Sequence, residues 1–329
     1  MHLDLVDNHG EQGKSKGNLI KWELYNNTPL NPSDKIMYVK TGGWGKRNYV
    51  DTFGLEPLIE VLTYRIGKLL GLDITEQHLG VVDMLHLNEV KSTLINYSYD
   101  FRDGMQFTEY DNRDLLLDDC ESDKTRPIIG YPTIKKYFGE SSYPVDMVEQ
   151  AEDSIDWDNY DELDNLATRE YNRDSYIKMM LFDLIIMNQD RHGSNFGYLY
   201  YPKEDVHRQS PLYDHGNSLC YDDVKLFLKG YSETAIKGTP NYGIWGSFSS
   251  MEKIIKDYCS QIGVPQIKHL INIKLTYEDI ETVVNEVKTD YYDIRSITEV
   301  DNILLDDTWF NIAIEFIYRR YDYVRNLSN

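Results

Sequence analysis

Asn188–Leu199 reads NQDRHGSNFGYL, and this polar stretch decides how the rest of the chain is understood. Before it, from about Asp174 to Met187, the residues Ile177, Met180, Leu181, Leu184 and Ile185 recur at helical spacing and predict a wide core-facing stripe. After it, FGYLYY predicts a strand. Asp190 and Asn195 therefore sit in a loop that leaves a buried helix and enters a sheet. Further on, SPLYDHGNSL (210–219) reads as a second strand ending in a polar turn, and that turn carries Asp214.

Phosphoryl transfer calls for these groups. One carboxylate must orient the attacking hydroxyl and accept its proton, while an Asn and a second Asp hold magnesium against the nucleotide phosphates. Magnesium prefers hard oxygen ligands and keeps several waters, which suits one carboxylate plus one amide oxygen. Asp190 to Asn195 reproduces a D-x-x-x-x-N spacing, and Asp214-His215-Gly216 stands where a kinase has D-F-G, with His in place of Phe. The short spacing arises often by chance; the longer string N-x-D-R-H-x-x-N-F-G is far more specific.

Outward toward the N-terminus, the first hundred residues read as strands with one strong helix. KWEL (21–24) and KIMYVK (35–40) alternate apolar and polar side chains, which places Ile36, Tyr38 and Lys40 on one face. A helix is predicted from about Glu56 to Leu70. Pro57 suits its first turn, Gly71 its C-terminal cap, and Leu55, Ile59, Leu62, Ile66 and Leu69 form its buried stripe. VVDMLHL (81–87) and KSTLINYSYDF (91–101) read as further strands. Helical patterns dominate from about residue 251 onward. The plan is α+β and two-lobed, with a β-rich N-lobe over 1–101 and a helical C-lobe over 102–329.

Composition narrows the partners. The 329 residues carry a net charge of −21, which repels nucleic-acid phosphates and anionic lipid, so neither nucleic acid nor membrane is expected as a direct partner. Cys120, Cys220 and Cys259 make no disulfide framework and no zinc spacing. The opening MHLDLVDNHGEQGK lacks an apolar signal core, and a soluble cytoplasmic protein is expected, export as an effector without a leader aside. The acidic stretch from Glu149 to Asp164 reads as a solvated face. Gly13-Lys14-Ser15 is not a Walker A loop, because that motif needs Gly where Asn8 stands. Backbone N–H groups of such a glycine-rich turn can nonetheless meet phosphates.

Taken together, these motifs resemble the HipA-like serine/threonine kinases, and within them the compact CtkA-type members; the phosphatidylinositol kinases are wider relatives. The likeness runs through most of the first 220 residues. It implies ATP and Mg2+ as cofactors, with Asp190 as catalytic base and Asn195 and Asp214 as metal ligands. GEQGKSKGNLIKWEL (10–24) resembles the family's phosphate loop, which implies contacts from Gly10, Gly13, Lys14 and Ser15, Ser15 being a candidate for autophosphorylation. Lys40 at the end of YVK matches the nucleotide-binding lysine. Glu60, before Leu70-Gly71-Leu72, matches the glutamate that orients it; Glu56 is the alternative, explained equally by the helix dipole. His192 either contacts the metal-binding loop or braces the catalytic one. Arg191 pairs with a phosphorylated side chain or with the acidic surface.

An adenine site is expected at the lobe junction, against backbone groups around Asn96–Asp100 (Asn96, Tyr97, Ser98 and Tyr99), with Tyr97 or Tyr99 stacking on the base. The expected activity is phosphorylation of a protein serine or threonine, ahead of a small-molecule or lipid kinase and of a nucleotide-binding pseudokinase. Some relatives are toxins held by a DNA-binding antitoxin. About 39 residues precede Lys40 here, which puts such a partner in doubt.

Overall fold

A computed structural model of the chain describes residues 2–4, 21–24, 37–41, 55–86, 89–102, 105–109, 166–191, 195–204, 206–219, 233–240, 250–255, 274–297 and 305–327. Gly10, Gly13, Lys14, Ser15 and His192 lie outside these residues, as do the three cysteines and the acidic stretch from 149 to 164.

The first sheet holds β1 (His2–Asp4), β2 (Lys21–Leu24), β3 (Met37–Thr41), β4 (His78–His86) and β5 (Glu89–Tyr99), in the order β1-β4-β5-β3-β2. β1 lies at one edge, parallel to β4, and every other pairing is antiparallel. β5 is central, rich in β-branched and aromatic residues, and its register with β3 puts Asn96 opposite Lys40 and Ser98 opposite Tyr38.

Helix α1 (Leu55–Leu69) packs on this sheet. It ends as the sequence demands. Gly71 takes φ 68°, its N–H donates to the Lys68 carbonyl at 3.0 Å, and the Leu72 N–H donates to the Gly67 carbonyl at 3.0 Å, which together make a Schellman cap. The one-sided stripe expected of α1 is too narrow a description. Glu60, Val61 and Thr63 are buried as well as Leu55, Ile59, Leu62 and Ile66, because the helix is covered on more than its sheet side.

That second cover comes from the helix-rich lobe. Here α2 (Leu166–Ile186) starts earlier than its apolar run suggests, and Ile177, Met180, Leu181, Leu184 and Ile185 are all buried as expected. β6 (Phe107–Glu109), β7 (Gly197–Tyr201) and β8 (Val206–Gln209) form a small antiparallel sheet in that order. The strand expected over 210–219 is not there; the strand is β8, and the segment after it makes one parallel bridge between Leu212 and Ile74. Pro211 has no N–H to extend a ladder. Leu212 spends its main chain on the other lobe, donating to Asp73 O at 2.9 Å and accepting from Thr75 N at 2.8 Å.

A short helix, α3 (Glu233–Lys237), precedes the two long C-terminal helices, α4 (Tyr277–Ile297) and α5 (Asp307–Leu327). Thr276 and Asp279 cap α4 reciprocally: Asp279 N donates to Thr276 Oγ1 at 3.1 Å and Thr276 N to Asp279 Oδ2 at 2.8 Å. α4 packs along α1, where Glu286 and Asp290 both pair with Arg65. On α5, the fully buried Arg320 donates to the carbonyls of Leu184 at the end of α2 and of Ala235 and Ile236 in α3, satisfying acceptors that helix ends leave open. Among the described residues no helix is long and apolar enough to cross a membrane.

The lobes also touch at Gly67 of α1. A Cβ there would stand 2.9 Å from Ile74 Cδ1 and 3.3 Å from Phe182 Cζ of α2. Gly67→Leu is therefore expected to destabilise the protein by about 1–3 kcal/mol through overpacking, despite removing a helical glycine. Urea unfolding measures this; an unchanged or raised midpoint would show that the two lobes do not meet closely at this point.

Candidate active site

Lys40 lies near the end of β3 with its ammonium between two carboxylates. Its Nζ donates to Glu60 Oε1 at 3.0 Å and to Asp214 Oδ1 at 2.6 Å. These residues come from a strand, a helix and a loop of the other lobe, separated by 20 and 174 positions. Burial alone would push the ammonium down in pKa; the charges of Asp214 and Glu60 outweigh it and hold Lys40 above its ordinary value. Glu60 is only 2% exposed, and its second oxygen accepts from the His215 N–H at 3.0 Å. Of the two glutamates in α1 open from sequence, Glu60 is the one that reaches Lys40.

The loop after α2 begins under strain. Met187 has φ 56°, in the left-handed region that favours glycine, and the Asn188 N–H returns to the Asp183 carbonyl at 2.9 Å. Asn188 is fully buried, takes the Asp190 N–H on its Oδ1 at 3.1 Å and donates its Nδ2 to Asp183 Oδ1 at 3.0 Å. Asp190 itself is exposed. Asn195 is 4% exposed and donates Nδ2 to the Asp190 carbonyl at 2.8 Å, which turns its amide oxygen away from that carbonyl.

Arg191 fastens this loop to the next. Its guanidinium grips Asp183 through Nε to Oδ2 at 2.9 Å and Nη2 to Oδ1 at 3.0 Å, both side chains being fully buried. Nη1 then donates to two carbonyls, Asn195 O and, at 3.0 Å, Tyr213 O. The carbonyl of Asn195, one expected metal-binding residue, and that of Tyr213, which precedes the other, thus share one nitrogen. Gln189 N to Asn217 O at 2.8 Å and Leu219 N to Ile186 O at 2.9 Å add further ties. Asp214 is held at φ 61°, a strained value for a residue other than glycine, which the surrounding bonds maintain.

His215 fills the position of the kinase Phe. It is 2% exposed and meets Phe182 edge-on at 5.3 Å. Burial pushes its pKa well below the ordinary value; Arg191 and Lys40 push the same way, against Asp214. Neutral imidazole is therefore the resident form. Next to it, a Cβ on Gly216 would lie 3.4 Å from Glu56 and Glu60 atoms, so the loop runs directly against α1.

The remaining expected residues divide by sheet face. Asn96 and Ser98 share the face of Lys40, Asn96 donating to Gln77 Oε1 at 2.8 Å. Tyr97 and Tyr99 occupy the opposite face, clustered with His78, whose ring stacks on Tyr97 at 4.9 Å. Asp183 and Arg191 are residues beside the site whose roles the sequence hides or leaves open. A signal is present in principle: a charged residue inside an apolar helix, eight positions before an arginine, asks for a buried partner.

Among the described residues no three His, Cys, Asp or Glu side chains cluster as a metal centre. The donors that would hold magnesium are the Asn195 amide and the Asp214 carboxylate, hard oxygens that fit an ion sharing its shell with phosphates and water.

No protein-family model matches the chain, and no curated protein matches it in sequence. Solved structures do match. The proinflammatory kinase CtkA of Helicobacter pylori aligns with a TM-score of 0.60 and 12% identity, over 100% of this chain and 98% of that one. HipA of Shewanella oneidensis MR-1, from a toxin–antitoxin complex with HipB and operator DNA, gives a TM-score of 0.39 and 14% identity over 98% of this chain and 68% of that one. The golgi casein kinase gives 0.39 and 10% over 99% and 72%. The first establishes the fold: an α+β, two-lobed, kinase-like architecture. The other two are too distant to carry an argument.

His215 offers a test of the site's packing. Below about pH 6.5 the unfolded chain takes up a proton on this imidazole, while the folded chain resists it to much lower pH. The stability it contributes is thus present above that pH and lost as acid is added. His215→Phe should shrink the drop in thermal midpoint between about pH 7 and about pH 5. An identical drop in the variant would mean that the imidazole is not held neutral.

Proposed function

We propose that this protein is an ATP- and magnesium-dependent kinase that phosphorylates serine or threonine hydroxyls of proteins. The observation that carries the reading is the convergence of Lys40, Glu60 and Asp214 on one another, beside a loop whose Asp190 is exposed and whose Asn195 is fixed. That set matches the positioning and charge-neutralising groups that phosphoryl transfer needs. The kinase-like fold supports it.

In this reading Asp190 accepts the proton of the acceptor hydroxyl as its oxygen bonds to the γ-phosphorus and the bond to the β–γ bridging oxygen breaks. Asn188, by holding the Asp190 N–H, fixes the direction of that carboxylate. Lys40, kept charged by its two partners, neutralises the phosphates, and Glu60 holds it in place. Asn195 and Asp214 hold magnesium, which when bound screens charge on the transferred group. The net charge of −21 favours a cationic or neutral acceptor over an anionic lipid.

Incubation with radiolabelled ATP, magnesium and a general protein substrate is expected to label protein. Asp190→Ala should lower the rate by about 100-fold or more, the scale of general-base catalysis. Equal labelling by the variant would remove Asp190 from this role. Label appearing only on an added small alcohol would replace the protein acceptor by a small molecule.

A further inference from the structure

Arg191 follows Asp190 in the loop, yet its side chain is entirely removed from solvent. Neither a phosphorylated side chain nor the acidic surface reaches it there, so both pairings left open by the sequence are set aside. All three of its nitrogens donate: Nε and Nη2 to the Asp183 carboxylate at 2.9 and 3.0 Å, Nη1 to the carbonyls of Asn195 and Tyr213. The anchor is equally fixed. Asp183 lies in the last turn of α2, is fully buried, and takes a third bond on its carboxylate from Asn188 Nδ2 at 3.0 Å. One planar fork therefore refers two loops to one helix.

We propose that Arg191 is a positioning residue that sets the magnesium affinity of the site, by holding the backbones of Asn195 and Asp214 at one spacing, and that this role is separable from folding. The proposal rests on the kinase reading above and deepens it to the assembly of the metal site. Tyr213 O and Asp214 N belong to one planar peptide unit, so fixing that carbonyl fixes where Asp214 begins. Asp214 then departs at φ 61°, and the Asn195 side chain is tied to its own loop through Nδ2 to Asp190 O at 2.8 Å. Spacing between backbones thus becomes spacing between ligands. Magnesium is strict about that spacing, because it demands near-ideal octahedral geometry with oxygens at about 2.0–2.1 Å. Lys40 is held separately, with its Nζ on Glu60 Oε1 of α1 at 3.0 Å, so the phosphates keep a hold that does not pass through Arg191.

Calorimetric titration of magnesium into the full chain saturated with a non-hydrolysable ATP analogue tests this, beside titration of the analogue alone in EDTA. Two variants are compared with the wild type. Asp183→Leu combined with Arg191→Met replaces the buried pair by apolar side chains, and it should fold, as circular dichroism and urea unfolding would show. Arg191→Lys keeps the charge, but an ammonium lacks the fork that grips the carboxylate and bridges both carbonyls. Both variants should bind magnesium about 10–100-fold more weakly, the scale of losing the support behind a metal ligand. Both should bind the analogue in EDTA as the wild type does, a split that a merely structural role would not produce. Wild-type magnesium affinity in a folded variant overturns the proposal, and so does an equal loss of analogue binding in EDTA. Should Arg191→Lys fail to fold, the double variant decides; a double variant that fails to fold makes the pair structural only and overturns the proposal as well. A wild-type protein that binds neither analogue nor magnesium removes the kinase reading itself, an outcome separate from these.

Discussion

Two fully buried charges, Asp183 and Arg191, hold the chemical end of this molecule together. Taking both out of water is expensive, and their mutual attraction offsets that only when hydrogen bonding is complete. It is complete here. The carboxylate takes two bonds from Arg191 and one from Asn188, and the guanidinium spends its remaining nitrogen on two carbonyls. Those carbonyls belong to Asn195 and Tyr213, so a pair buried for structural reasons sets the distance between the loop bearing Asn195 and the loop bearing Asp214. Replacing it with apolar residues of similar volume can leave stability intact while losing that registration.

The same logic extends across the cleft. α1 carries Glu60, and α1 is enclosed by the sheet, by α2 at Gly67 and by α4 at Arg65. The main-chain exchange between Leu212 and residues 73 and 75 joins the lobes a second time, just before Tyr213 and Asp214. The Lys40–Glu60 contact is therefore built into the packing of α1. Arg320, from the last helix, secures the end of α2 where the strained turn at Met187 begins. Distant segments thus converge on a few carbonyls around one loop.

Much of this is visible in the sequence because local rules and the fold agree. The Gly71 cap, the apolar stripe of α2 and the face shared by Tyr38 and Lys40 follow from periodicity and turn chemistry alone. Asp190, Asn195 and Asp214 stand out because their spacing is tied to one kind of chemistry. The parts that are not visible depend on contacts distant in sequence. Asp183, a charge inside the apolar run of the preceding helix, is the one hint that the partner of Arg191 is buried and not on the surface. The segment from Ser210 onward looks like a strand, but the main chain of Leu212 bonds to residues 73 and 75 of the other lobe. Tyr97 and Tyr99 look like a base site because tyrosines near a lobe junction suit a base; only the register between β3 and β5 reveals which face they occupy.

If the kinase reading holds, Asn195, Asp214 and Lys40 serve one cation and one set of phosphates. A crystal structure of the protein with magnesium and a non-hydrolysable ATP analogue addresses this without an intermediate step. A magnesium ion is expected at about 2.0–2.1 Å from both the Asn195 amide oxygen and an Asp214 carboxylate oxygen, with Lys40 on the phosphates. Metal and phosphates bound away from these three side chains would refute it.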